Sequence, residues 1–227
     1  MKRLILGKFS AGRGADARMA RAVSYASEVL KNHPVQKAVY NEAVAKGPRG
    51  DSFGFDFLVE AWLGQADTAF DSERSIRAAR SAGIDPDLSC TVFADEKVVK
   101  LGSAAVKATF LSKRRPGTTV DEYLKYWRGR HDEIIQAQKD FFAFVRGYAQ
   151  NHFVPGSYVS LAGKPMPQED TFDGAPQMWF DSADDIHLAF ATEGYQRRIK
   201  ADELILVKVG FSQSFIAQEH LISLQRR

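Results

Sequence analysis

Histidine is the side chain that changes charge near neutral pH without strong help from its surroundings, and two of the five in this chain have neighbours that suggest chemistry. His131 ends the run Tyr126-Trp127-Arg128-Gly129-Arg130-His131, and His152 closes Tyr148-Ala149-Gln150-Asn151-His152. Two imidazoles in one cavity could remove a proton from carbon and return it at another position, through a dienolate whose oxygen needs a hydrogen-bond donor. Tyr126 is a candidate for that donor. Asp173 could orient a histidine by fixing its tautomer, or it could simply turn the chain after Phe172. Trp127 and Trp179 offer apolar walls for a flat substrate, Tyr148 and Gln177 offer hydrogen bonds, and Arg128 and Arg130 offer bidentate contacts to a carboxylate. Core packing for the aromatics and a solvated helix end for the arginines are the plainer alternatives. His33 and Tyr40 are the corresponding substrate-contact candidates in the first half, while His187 and His220 rank lower.

Other chemistries lack their residues. No glycine-rich phosphate loop, paired metal-ligand motif or Gly-x-Ser-x-Gly elbow is present, so neither metal nor nucleotide cofactor is expected. The single cysteine, Cys90, cannot form an internal disulfide. A net charge of +3, with both signs interspersed, gives no nucleic-acid footprint. The run Lys113-Arg114-Arg115 is either a solvated turn or an anion-facing edge. No apolar run is long enough to span a bilayer, and the start, MKRLILGKFSAGRG, lacks a signal-peptide core. A cytoplasmic protein with a small-molecule substrate is expected, binding neither nucleic acid nor membrane.

The elements that must position these residues form a repeated pattern. Gly54-Phe55-Asp56 through Trp62 lies in register with Thr171-Phe172-Asp173 through Trp179 at a shift of about 117 residues. Ala94-Asp95-Glu96 likewise pairs with Ala217-Gln218-Glu219. The second half reads as strand (104–113), helix (119–138), strand (145–154), irregular loop, strand (173–180), helix (182–200) and strand (208–222). Thr118 or Thr119 before Asp121-Glu122, and Ser182 before Asp184-Asp185, supply helix N-caps. The first half gives the same order: strand 2–9, helix 15–31, strands 35–45 and 55–63, helix 67–81 and strand 89–99. The expected class is α+β, with two ferredoxin-like β-α-β-β-α-β units at 1–101 and 103–227.

The second half resembles the EthD family. The stretches that carry the resemblance are Arg115-Pro116-Gly117-Thr118, Tyr123 through His131, Tyr148 through His152, and Phe172-Asp173-Gly174-Ala175 running into Met178-Trp179-Phe180. The resemblance implies two four-stranded sheets packed face to face as a dimeric α+β barrel, with the site between sheet and helices. It also implies a cofactor-independent isomerase of aromatic catabolism or polyketide metabolism. A dehydratase, a decarboxylase, a haem- or quinol-type monooxygenase and a non-catalytic binding protein are the alternatives. Further association into a homodimer is expected.

Overall fold

The computed structural model describes residues 1–11, 17–48, 53–64, 70–208 and 210–224. The first residues of the helices expected over 15–31 and 67–81 lie outside them. The first half runs β1 (Lys2–Gly7), α1 (Arg18–Leu30), β2 (Val35–Lys46), β3 (Phe57–Leu63), α2 (Ser72–Ala82) and β4 (Cys90–Lys100). The second runs β5 (Val106–Leu111), α3 (Val120–Tyr126), a π-helical turn (Trp127–His131), α4 (Asp132–Ala137), α5 (Lys139–Phe142) and β6 (Gly147–Phe153). It continues through β7 (Val159–Ser160), β8 (Gly174–Phe180), α6 (Ala183–Ala191), a second π-helical turn (Tyr195–Ile199), α7 (Lys200–Leu206) and β9 (Gln213–Leu221).

All six residues of β1 are buried, as expected of a strand covered on both faces. Leu4 and Leu6 point inward with Leu58, Val92 and Phe215. Ile5 points outward beneath the helices with Ala22, Tyr25 and Phe57. The strand order β1-β3-β2-β9-β5-β8-β6-β4, with β4 returning to β1, closes eight antiparallel strands into a barrel, and β7 adds to β4. The halves join at β2–β9, where Asn41 faces Glu219, and at β4–β6, where Asn151 faces Glu96. The barrel therefore closes within one chain.

One layer of the barrel interior is polar. Lys2 lies 2.5 Å from Glu60 and 2.9 Å from Glu96, and it donates to Gln177 at 3.0 Å. Lys107 makes a short contact with the other oxygen of Glu60 and pairs with Glu219 at 2.7 Å. Trp62 and Trp179 donate their indole N–H groups to Glu96 and Glu219 respectively. Asn41 bonds the Leu58 carbonyl and Glu60, and Asn151 bonds the Ala175 carbonyl and Gln177. Gln177 and Trp179 thus belong to the barrel interior, away from the outer face that carries His152.

The helices depart from the expected boundaries in informative ways. Thr119 forms a full capping box with Glu122, and Ser182 caps Asp185. The helix predicted over 119–138 is interrupted by the π turn at Trp127–His131, which has Gly129 at its centre. The helix predicted to end by residue 200 breaks at Thr192 and resumes from Tyr195 to Leu206, so the last strand begins at Gln213. Gly174 opens β8 where a β-carbon would lie 2.3 Å from the Trp127 ring, so the glycine is required by close packing.

Glu60 is fully buried, and although burial opposes its charge, Lys107 and Lys2 hold its carboxyl well below the usual range. A carboxyl depressed in this way adds stability above its unfolded pKa of 4.5 and loses it as pH falls. Glu60→Gln, which leaves two lysines short of a partner, is expected to cost about 3–5 kcal/mol at pH 7. Urea titrations of both proteins should show the gap narrowing below about pH 4.5.

Candidate active site

The second half holds an apolar pocket between its sheet and its helices. Its walls include Trp127, His131, Tyr148, Met178, Phe190 and Tyr195. In the first half Tyr25, Tyr40, Phe57 and Phe93 pack together beneath α1 and α2, and a space of about 190 Å³ lies beside them at Arg3, Val29, Phe70 and Ser75. The pocket's free volume is about 40 Å³, room for one or two water molecules.

His131 is the histidine in the pocket wall. It is buried at the end of the first π turn, and its Nδ1 lies 2.6 Å from Asp202 Oδ2 on α7. The other Asp202 oxygen accepts the Tyr126 hydroxyl at 2.5 Å. Burial raises the Asp202 carboxyl, but the hydrogen bonds from His131 and Tyr126 outweigh it and hold the group below its ordinary value. An ionised Asp202 accepts the Nδ1 proton, which leaves Nε2 with a lone pair. Tyr126 is spent in the same network: burial, then the bond to Asp202, pushes its phenol up to about 12. It supports the carboxylate and does not reach a substrate oxygen through that proton. Three phenols line the pocket, Tyr123, Tyr148 and Tyr195, and Tyr148 accepts from Gln150 Nε2 at 3.0 Å.

The π turn itself is clamped from the first half. Lys97 on β4 donates to the Arg128 carbonyl at 2.7 Å and pairs with Asp132 at 2.6 Å, so both sides of the turn are tied to one ammonium. π-helical turns often occur at functional positions because the extra residue re-aims neighbouring side chains.

His152 has a different environment. It sits outside the pocket wall, 4.6 Å edge-on from the Trp127 ring. Its Nδ1 accepts from Arg128 Nε at 3.2 Å, so Nε2 carries the proton and donates to Gln150 Oε1 at 3.1 Å. Burial first, then the positive charges of Arg128 and Lys97, pushes its pKa down to about 3. Both nitrogens are engaged and the ring is held neutral, so the paired-histidine arrangement expected from sequence is not formed.

The remaining candidates are dispersed. Asp173 touches neither histidine; it accepts Arg114 at 2.5 Å and Gln168 at 2.7 Å and pairs with Lys113 at 3.4 Å, so the basic run fastens the β5 end to the start of β8. Arg130 is exposed and pairs with Glu133 at 3.6 Å. His33 lines a surface groove with Arg74 and Arg77, whereas Tyr40 is buried, desolvated and raised to about 12. The partner of His131 was missed because Asp202 lies 71 residues away on a helix predicted to stop short of it. Glu203, which also lines the pocket and accepts the Tyr195 hydroxyl at 3.1 Å, was missed for the same reason.

Residues 115–207 match the sequence profile of the EthD domain. All of the pocket's lining residues except Phe110 and Ser112 fall within that stretch. No curated protein matches the chain in sequence. Among solved structures, an anthrone oxidase-like protein aligns over 97% of this chain and 91% of its own, with a TM-score of 0.54 and 11% identity. A protein provisionally assigned as a chlorite dismutase aligns over 96% of this chain and 94% of its own, with a TM-score of 0.51 and 11% identity. At such low identity the two likenesses concern the fold, and both span the whole barrel. No helix among the described residues is long and apolar enough to cross a membrane. The stretch that carries the pocket and its histidine, residues 115–207, is the part of the chain that matches the EthD domain.

Proposed function

We propose that the chain is a cytoplasmic, cofactor-independent enzyme that moves a proton on a small, flat, conjugated compound. The observation that carries this reading is the His131–Asp202 pair, fixed in the wall of an aromatic pocket. His131 Nε2 takes a proton from carbon, Asp202 stabilises the imidazolium that forms, and the Tyr148 hydroxyl faces the enolate oxygen. Return of the proton by His131 at another carbon completes an isomerisation. The same reading takes residues 1–101 and 103–227 as two ferredoxin-like units. It is supported by strand orders β4-β1-β3-β2 and β9-β5-β8-β6, and by the matching inward residues Lys2/Lys107, Asn41/Asn151, Trp62/Trp179 and Glu96/Glu219.

A second reading shares the first step. In a pocket closed to bulk water the carbanion could be captured by dioxygen. A conjugated CH₂ would then become C=O, one oxygen atom entering the product and the other leaving as water. The aromatic lining favours this outcome, in line with the fold shared with an anthrone oxidase-like protein. A haem does not fit the residues as they stand, since Trp127, Tyr148 and Tyr195 occupy the space a macrocycle needs.

Two measurements test the mechanism. His131→Ala is expected to lose about 10²–10⁴-fold in kcat while keeping a near-native Tm, and Asp202→Asn is expected to lose activity with little change in KM. Candidate conjugated acids incubated in D₂O should take up deuterium if isomerisation operates, or consume dioxygen stoichiometrically if oxygenation does; neither signal would reject the proton-transfer reading. His152 supplies the complementary check. Its depressed pKa means the unfolded chain binds the extra proton between about pH 6.5 and 3, so its burial removes stability over that window. Its imidazole NMR signals are expected to show a neutral Nε2–H ring without titration from pH 8 to 5, and a midpoint near 6.5 would overturn the assignment.

A further inference from the structure

The inner pocket is too small for any conjugated substrate, yet it does not end at its walls. A surface groove of about 520 Å³ lies directly outside it, and Phe190, Tyr195, Glu203 and Val207 line both spaces. The partition between them is therefore a single layer of these shared side chains, and it includes one polar contact, the 3.1 Å bond from the Tyr195 hydroxyl to Glu203 Oε2. We infer that the groove and the inner pocket are two chambers of one ligand site, separated by a Tyr195–Glu203 latch. The site takes a planar, mostly apolar ring system whose acidic group remains in the groove. This inference rests on the reading of the inner pocket as the reaction site.

Three features support the two-chamber arrangement. The groove alone falls within the range of about 300–1,000 Å³ usual for small-molecule sites, whereas the inner chamber falls far short of it. Tyr195 opens the second π turn, and Glu203 stands on the helix that follows, so a change at that turn moves both halves of the latch together. Helical irregularities of this kind accommodate backbone shifts that a regular turn resists. The groove's two permanently charged side chains are then opposite in sign. Lys200 is exposed on its solvent side, while the Glu203 carboxylate stands at the neck shared with the inner pocket. An anionic group is favoured outside and repelled at the neck, which orients the ring system inward toward His131.

The test uses the full chain and naphthalene-2-carboxylate as the probe, followed by calorimetry and by tryptophan emission, with Trp127→Phe identifying the inner-chamber signal. The wild type is expected to bind the acid and change Trp127 emission. Ala191→Trp, which fills the groove from an exposed helix end, should weaken binding at least tenfold at unchanged Tm. Lys200→Met should weaken the acid but not naphthalene-2-methanol. Equal affinity of the wild type and Ala191→Trp, with the Trp127 response intact, would overturn the two-chamber site and leave the inner-pocket reading standing. Binding that Ala191→Trp abolishes but that never reaches Trp127 would overturn the inner-pocket reading, and with it the joined site. No binding of the acid to the wild type would overturn both.

Discussion

The rest of the structure depends on one carboxylate. Glu60 is fully buried between Lys2 and Lys107, one lysine from each half of the chain, with Glu96 and Glu219 as the lysines' outer partners. Burying a charge is expensive unless it is paired and hydrogen-bonded, so the cluster tolerates little displacement of β1, β3 or β5. Its layout also exploits closure within a single chain. The position equivalent to Glu60 across the barrel holds Gln177, which accepts from Lys2 without adding charge. Two identical subunits would have to place the same residue at both positions. A single chain can put one carboxylate between two ammonium groups.

That rigidity explains why the candidate chemistry lies on the outer face of the sheet. The interior polar layer uses its side chains on one another, and the rest of the interior is filled by Leu4, Leu58, Phe153 and Phe215. What differs between the halves is the helical layer. In the first half, α1 packs Ala22 and Tyr25, and α2 packs Ala79 and Ala82, onto the sheet. In the second half, two π turns interrupt the helices, and these carry Trp127, His131 and Tyr195. The first half still contributes through Lys97, whose ammonium holds the Arg128 carbonyl and Asp132 from the barrel side.

How much of this was legible in the sequence depended on range. The strand and helix order followed from hydrophobic period and from local caps such as Thr119 and Ser182, because those signals lie within a few residues of each other. Trp62 and Trp179 were found as equivalents because their flanking residues align, but their burial against Glu96 and Glu219 was not foreseen. His131 stood out through its neighbours. Its partner did not, since nothing near Asp202 in sequence marks it. The π turns were also hidden: a one-residue expansion leaves the helical pattern of Tyr123, Tyr126 and Trp127 almost unchanged.

His152 shows why residue type alone misleads. Beside Tyr148 and Gln150 on one strand it looked like half of a catalytic pair, yet those same neighbours immobilise it. Alternation along β6 places Tyr148, Gln150 and His152 on the same face, where they form a hydrogen-bonded file that ends at Arg128. A guanidinium can only donate, so it fixes Nδ1 as an acceptor and disfavours a second positive charge on the ring. His131 has the opposite arrangement, with the Asp202 carboxylate as the acceptor at Nδ1. The two imidazoles thus differ in the partner at Nδ1, a carboxylate for His131 and a guanidinium for His152, and only His131 keeps its Nε2 toward the pocket it lines.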